Sequence, residues 1–199
     1  LSTGASTMNE VQDAVDTIYS YHKNLILLHC TSSYPALMRD VNLKAMLSLQ
    51  KGFDCHIGYS DHTLDNTVSI AAVAMGAKVI ERHITLDKNM DGPDHKASLN
   101  EREFTTLVNS IRDLEVAFGD GIKRPTDSEL ETRAMGRRSI VTRISISKGE
   151  VITESMLSTK RPGTGMLPYK MFEIIGKRTT QALKEDYLIE PTDVENYDE

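Results

Sequence analysis

The residues best suited to chemistry fall into four short groups. They are Ser2-Thr3-Gly4, His29-Cys30-Thr31-Ser32-Ser33-Tyr34, Ser60-Asp61-His62 and Glu81-Arg82-His83. Each follows or ends a short apolar run, so hydroxyls, carboxylates and imidazoles are expected at one rim of a parallel sheet, where such folds place their active sites. His62 and His83 close consecutive runs, and neighbouring strands lie about 4.8 Å apart. Their imidazoles could share one divalent ion; two nitrogens completed by carboxylate or water suit a transition metal such as Mn or Zn. Taken singly, two histidines could equally be packed or solvated, and only the shared placement argues for a pair. Glu81 and Asp61 are natural partners of such ligands or proton acceptors, although Asp61 could instead cap the helix that follows it. Ser2, Ser32, Ser33 and Ser60 could donate to phosphate or carboxylate at strand-end turns, or serve as caps. His29, inside a strand, reads as a core histidine with a satisfied ring. His22, His56 and His95 carry weaker signals.

The Asp91-Gly92-Pro93-Asp94-His95-Lys96 segment reads as a rigid loop. It is either a tight turn or a place where Asp94 accepts a hydrogen bond from a substrate hydroxyl. Cys30 and Cys55 read as small buried hydrophobes. Neither a phosphate-binding glycine loop nor a dinucleotide fingerprint is present.

These groups need elements to hold them. Thr7-Met8-Asn9-Glu10 has the pattern of a capping box, and Val11, Ala14, Val15, Ile18 and Tyr21 follow at helical spacing. Leu25–Cys30 reads as a buried strand, and Val41, Leu43, Met46, Leu47 and Leu49 as a helix. His56–Ser60 is the next strand, Val68–Gly76 a helix ending at glycine, and Ala77–Thr85 a further strand. A last helix begins near Asn100, with Phe104, Leu107, Ile111, Leu114 and Phe118 on one stripe. A first strand is expected around Leu1–Thr3, where the chain opens inside the pattern. Strands each followed by a helix imply parallel βα units, and four such units are half of a (β/α)8 barrel.

From Gly119 to Gly136 the pattern lapses into a stretch that reads as a linker. The expected organisation is a partial TIM-type barrel over 1–120, a linker over 121–136 and a small β-rich domain over 137–199. In the last region Lys148-Gly149-Glu150-Val151-Ile152-Thr153-Glu154 echoes Lys184-Glu185-Asp186-Tyr187-Leu188-Ile189-Glu190, which suggests internal pseudo-symmetry. Lys160-Arg161-Pro162-Gly163 is a basic pair framed by Pro and Gly, and could be aimed at a specific target.

Composition bounds the function. The chain has 199 residues, 39% hydrophobic and 26% charged, with a net charge of −6. Residues 137–199 carry ten basic and ten acidic side chains, so the acidic excess lies in the first region. That balance argues against nucleic-acid binding, which rests on neutralising phosphates. No apolar run approaches the roughly 18 residues of a membrane span. No secretory signal is visible, and two cysteines form no disulfide framework, so a reduced cytoplasmic setting is expected.

Taken together, the motifs resemble the sialic acid (N-acetylneuraminate) synthase family. The match rests on Leu27-Leu28-His29-Cys30-Thr31-Ser32-Ser33-Tyr34-Pro35, Gly58-Tyr59-Ser60-Asp61-His62-Thr63 and Ile80-Glu81-Arg82-His83. It continues through Gly92-Pro93-Asp94-His95-Lys96-Ala97-Ser98-Leu99, Gly121-Ile122-Lys123-Arg124-Pro125 and Lys160-Arg161-Pro162-Gly163. The resemblance implies a (β/α)8 barrel followed by a SAF (antifreeze-like, β-clip) domain, with only the last four βα units of the barrel carried by this chain. It implies condensation of phosphoenolpyruvate with an N-acetylated hexosamine, N-acetylmannosamine or a relative, to give a nine-carbon 2-keto sugar acid and phosphate. It implies a divalent metal, usually Mn2+ with Mg2+ or Co2+ as alternatives, held by His62 and His83, with Glu81 as a nearby carboxylate that orients water or moves a proton. Ser2, Ser32 and Ser60 match positions that hold phosphoenolpyruvate; some members have Asn where Ser32 stands. Tyr34 and Asp94 match sugar-contacting positions. Arg161 matches an arginine offered to the partner subunit's site in a domain-swapped homodimer. Related synthases for legionaminic, pseudaminic or spore-coat sugars are alternatives, the Gly-Pro-Asp-His-Lys-Ala-Ser loop favouring the sialic or legionaminic branch. So is a non-catalytic remnant that binds a carbohydrate or a protein. The lysines and glutamate of the family's earlier strands are missing, so little synthase activity is expected of this chain alone.

Overall fold

The computed structural model describes residues 1–197, which divide into two units, Leu1–Gly121 and the part from Ile122 onward. In the first, strands β1 (Ile26–Cys30), β2 (His56–Asp61) and β3 (Ile80–Arg82) form a parallel sheet in the order β1-β2-β3. The register pairs Cys30 with Ser60 and Ser60 with Glu81. The expected leading strand is one parallel bridge, Ser2 to Leu28, with the Leu28 N–H donating to Leu1 O at 2.8 Å and the Thr3 N–H to Leu28 O at 2.9 Å. The strand expected over Ala77–Thr85 is shorter. Beyond Arg82 the backbone leaves β2 and pairs with a returning segment: Leu99 N–H donates to His83 O, and Thr85 N–H to Leu99 O, both at 2.9 Å.

Helices α1 (Met8–Tyr19), α2 (Ala45–Gly52), α3 (Thr67–Ala74) and α4 (Glu101–Ala117) alternate with the strands. Thr7 and Asn100 complete capping boxes with Glu10 and Glu103, so each satisfies donors that a helix start leaves unpaired. Gly76, at φ +100°, takes the left-handed turn that ends α3. Tyr21 lies past the end of α1 and is 84% exposed, not part of its apolar stripe. On α4 only Leu107 is buried, and Phe118 is half exposed beyond the helix end.

Alternation along the strands gives the sheet two different faces. Leu27, Ile57 and Tyr59 pack with Val11 and Val15 of α1, Met46 and Leu49 of α2, and Val68 and Ala72 of α3 in one apolar core. Leu28, Cys30, Gly58, Ser60 and Glu81 occupy the other parity. Gly58 is required there: a Cβ would lie 2.4 Å from Val79 O and 2.6 Å from Leu28 Cδ2.

The stretch expected as a linker is structured. It holds a 3-10 turn, Asp127–Glu129, and helix α5 (Leu130–Gly136). The Thr126 N–H donates to Glu129 Oε2 at 2.8 Å, a capping box that starts this element. Beyond it, β4 (Ser139–Thr142) pairs antiparallel with β5 (Leu157–Lys160), and a single turn, α6 (Met171–Ile174), follows. Ile140, Ile146, Ile152, Leu157, Ile174, Leu183, Ile189 and Val194 form a separate core.

The expected echo in this unit is a pseudo-twofold, with its halves one residue out of the register that the sequence match of Lys148–Glu154 with Lys184–Glu190 suggests. Gly149 and Asp186, 37 residues apart, both take a left-handed turn, at φ +76° and +60°. The N–H of Gly149 donates to Thr179 O, and that of Asp186 to Thr142 O, each at 2.9 Å. Ile152 N–H reaches Lys177 O as Ile189 N–H reaches Ile140 O. On the axis Ile146 and Leu183 exchange both backbone hydrogen bonds at 2.8 Å. Each half covers the other's apolar side chains, so this small unit closes its core without outside help.

Candidate functional site

The open end of the sheet gathers Ser60, His62, Glu81 and His83 with Tyr34 over them. The Ser60 hydroxyl donates to Glu81 Oε1 at 2.7 Å, across the register pair. His62 Nδ1 lies 2.8 Å from the Thr31 carbonyl oxygen. A carbonyl only accepts, so Nδ1 carries the proton, and in the neutral ring Nε2 keeps its lone pair. That Nε2 lies 3.5 Å from Ser60 Oγ, whose own proton is committed to Glu81. Lone pairs of an imidazole, a hydroxyl and a carboxylate therefore meet with no hydrogen between the first two. The His83 ring stands edge-on to His62, centroids 5.3 Å apart. Ser60 and His62 are buried, 2% and 8% exposed, while Glu81 is open to solvent.

Tyr34 packs on both imidazoles, with centroids 4.2 Å from His62 and 5.6 Å from His83. Its loop is pinned at both ends to one residue: Thr31 O accepts from His62 Nδ1, and Ala36 N–H donates to His62 O at 2.8 Å. Half of the Tyr34 side chain faces solvent, so the stack is a lid edge on the rim rather than core packing.

Asp61 is not part of this rim. It points to the opposite face of β2, where its carboxylate meets Arg82 Nη1 at 2.7 Å with both side chains buried. It also accepts from Thr63 N–H at 2.8 Å and from the Ser69 hydroxyl at 2.5 Å. Arg82 in turn donates to the Asp65 and Thr63 carbonyls at 3.1 and 3.0 Å. The expectation that Asp61 acts as a base or ligand partner is thus corrected by strand alternation: Ser60 and His62 face one way, Asp61 the other. Removing one partner of such a buried pair costs about 3–5 kcal/mol. Sequence reading passed over Arg82. Its place opposite Asp61 was the available signal, once the two strands are set in register.

His29 is a part-buried histidine with a partner, its Nε2 lying 2.9 Å from Val41 O. Ser32 lies against the Ser2-Thr3-Gly4 turn; a Cβ on Gly4 would sit 2.1 Å from Ser32 Oγ and 3.0 Å from Cys30 Sγ. Ser2 is exposed and carries the bridge to Leu28. Burial pushes the Cys30 thiol up, partly offset by the Thr3 and Gly4 N–H groups, so at neutral pH it remains an inert thiol. Asp94 caps a turn through its carbonyl, which accepts from Ala97 N–H, Ser98 N–H and the Ser98 hydroxyl. Among the described residues its carboxylate makes no hydrogen bond to the imidazole cluster. His95 Nδ1 holds the same loop to Thr85 Oγ1 at 2.8 Å. Arg161 belongs to the second unit, where its Nε donates to Gly136 O at 3.0 Å. Among the described residues no group of three or more His, Cys, Asp or Glu side chains could by itself enclose a metal ion.

Residues 1–123 match the NeuB family, and residues 137–195 the SAF domain. The chain belongs to the NeuB family of sialic acid synthase-type proteins. It is 47% identical over 192 residues to an N,N'-diacetyllegionaminic acid synthase of Campylobacter jejuni, covering 95% of this chain and 58% of that protein. It is 37% identical over 199 residues to the human N-acetylneuraminate-9-phosphate synthase, covering 99% and 55%. Among solved structures it resembles the sialic acid synthetase of Leptospira borgpetersenii, with a TM-score of 0.60 and 36% identity over 66% of this chain and 46% of that one. The chain spans a little over half the length of these curated relatives. Among the described residues no helix is long and apolar enough to cross a membrane.

Proposed function

We propose that this chain is the C-terminal part of a synthase that condenses phosphoenolpyruvate with an N-acetylated hexosamine of the N-acetylmannosamine type. The products are a nine-carbon 2-keto sugar acid and phosphate. The observation that carries this reading is the meeting of His62 Nε2, Ser60 Oγ and the Glu81 carboxylate beside His83, at the C-terminal ends of adjacent parallel strands. The residues fit a divalent ion, Mn2+ first and Mg2+ or Co2+ as alternatives, held by His62 and His83. Bound there, the ion would supply Lewis-acid polarisation of the sugar carbonyl. Ser60, with Ser2 and Ser32 on the neighbouring strand ends, would hold phosphoenolpyruvate. Glu81, held in place by the Ser60 hydroxyl, would orient water or move its proton. The methylene carbon of phosphoenolpyruvate attacks the sugar carbonyl carbon and forms the new C–C bond. Water adds at the former enol carbon, and phosphate departs by C–O cleavage. Tyr34, on the rim, and Asp94, in its loop, would contact the sugar.

The parallel order and the Ser2–Leu28 bridge support a reading of 1–120 as the last four units of a (β/α)8 barrel. The rest of the barrel and a domain-swapped partner supplying Arg161 would complete the pocket, in a cytoplasmic enzyme. A second reading, a legionaminic-type acceptor, is favoured by the higher identity to N,N'-diacetyllegionaminic acid synthases, 47% against 37% to the human N-acetylneuraminate-9-phosphate synthase.

The test is complementation. The chain is fused behind the first half of the Campylobacter jejuni synthase, and phosphate release from phosphoenolpyruvate is measured with a panel of N-acetylated sugars. Mn2+-dependent release is expected, abolished by His62→Ala, with the isolated chain inactive. Undiminished release by His62→Ala would overturn the site, and turnover by the chain alone would overturn its incompleteness.

A further inference from the structure

The strand ends that present Ser60, His62, Glu81 and His83 are tied together from behind by one feature that this reading leaves unused. Asp61 lies between Ser60 and His62, Arg82 between Glu81 and His83, and the two face each other in the strand register. Their side chains are 0% and 1% exposed and meet at 2.7 Å. Apart from the bond between them, the side-chain hydrogen bonds of the pair fall on residues that follow His62. Asp61 accepts from Thr63 N–H and Ser69 Oγ, and Arg82 donates to Thr63 O and Asp65 O. The pair therefore cross-links β2 to β3 at the last residue pair of their ladder, and fixes where the chain turns after the first imidazole. Beyond Arg82 the backbone leaves β2 to pair with Leu99, so past this point the ladder no longer holds His83 at a set distance from His62. A buried ion pair is weak evidence for stability, because an apolar pair of similar volume often serves as well. Specificity of arrangement is the better account here.

We propose that Asp61 and Arg82 are positioning residues that set the spacing and orientation of His62 and His83 through the strand ends between them. The inference rests on the reading of His62 and His83 as metal ligands. They touch no substrate, and they act through the residues on either side of them. Arg is called for rather than Lys, because one guanidinium must reach a carboxylate and two carbonyls at once.

The test is Mn2+ affinity of the whole chain, read from free Mn2+ by electron paramagnetic resonance, for wild type, Asp61→Asn, Arg82→Gln, Arg82→Lys, the Asp61→Asn/Arg82→Gln double variant, His62→Ala and Val15→Ala. Val15→Ala loosens the same core through α1, away from the strand ends, and reports what general destabilisation does. Asp61→Asn and Arg82→Gln are expected to weaken Mn2+ binding roughly tenfold, as loss of supporting partners does at other metal sites. Arg82→Lys should fall between, the double variant should be no weaker than the worse single one, and Val15→Ala should bind as wild type. Should Asp61→Asn and Arg82→Gln fail to fold, Arg82→Lys and Ser69→Ala carry the test, each weakening binding but by less than the roughly tenfold loss of a whole supporting partner. Wild-type affinity in folded ion-pair variants would overturn the proposal, and so would an equal loss in Val15→Ala. His62→Ala separates the two levels. If it keeps wild-type affinity, the metal reading itself fails; if it alone loses binding, only the positioning role fails.

Discussion

The two units solve the same problem in opposite ways. The second folds a short repeat onto itself, so that Ile140, Ile152, Ile174 and Ile189 are all fully buried without a second layer. The first buries one face of a parallel sheet under helices, while the other parity carries polar side chains toward its C-terminal rim. There the chain places Ser60 and Glu81 where a closed core would place apolar side chains. The same contrast holds at the end of β2, where Tyr59 and Asp61 serve the packed side while Ser60 and, just beyond the strand, His62 serve the rim.

The largest expected effect falls on the self-contained unit. Ile152→Ala removes a fully buried side chain from its core and should cost about 2–5 kcal/mol, most of what so small a unit has. Thermal unfolding followed by circular dichroism should then show the second unit lost and the helical signal of the first retained. A single transition shifted as a whole would show that the two cores are not independent.

A smaller effect is expected at the rim. Tyr34→Ala removes a side chain that is half exposed, so stability should change by less than about 1 kcal/mol. The ring protons of His62 and His83 should nevertheless shift in the NMR spectrum, because the aromatic face 4.2 and 5.6 Å away is gone. Loss of stability without those shifts would make Tyr34 a packing residue and dissolve the contrast between the faces.

The smallest effect concerns charge. The Lys88 ammonium, 2.6 Å from Glu103, and the Asn100 N–H hold the Glu103 carboxyl below the usual carboxylate range. A lowered carboxyl pKa stabilises the fold above the unfolded value and is lost as pH falls through the folded one. Glu103→Gln should therefore cost about 1 kcal/mol or less near neutral pH, because the pair is partly exposed. The difference from wild type should vanish in acid. Urea unfolding at pH 7 and pH 3 would read it; an equal cost at both would assign the effect to the helix cap alone.

Helix starts were legible because their signal is local: Thr7-x-x-Glu10 and Asn100-x-x-Glu103 each carry both halves of a capping box. Thr126-x-x-Glu129 carries the same signal, and reading its polar surroundings as a linker overlooked it. The histidine pair was legible because strand-end position and a common spacing coincide. Three features were hidden for different physical reasons. The carbonyl that sets the His62 tautomer belongs to the backbone of Thr31 and has no residue signature. The Asp61–Arg82 pair requires a register that only tertiary structure fixes. The shortening of β3 follows from Leu99 returning to compete for the backbone of His83 and Thr85. The repeat was visible at its two turns, but the sequence echo of Lys148–Glu154 with Lys184–Glu190 sets the halves one residue out of the register in which Gly149 matches Asp186, and the pairing of Ile146 with Leu183 was not visible.

The most direct test of the central claim is paramagnetic broadening. Substoichiometric Mn2+ is added to the isotope-labelled chain, and the loss of amide and imidazole signals is mapped by residue. The account predicts loss centred on His62 and His83 and extending to Ser60, Glu81 and Tyr34, while signals of the second unit's core at Ile152 and Ile189 persist. Broadening centred on other acidic surface, with the His62 and His83 rings untouched, would contradict it.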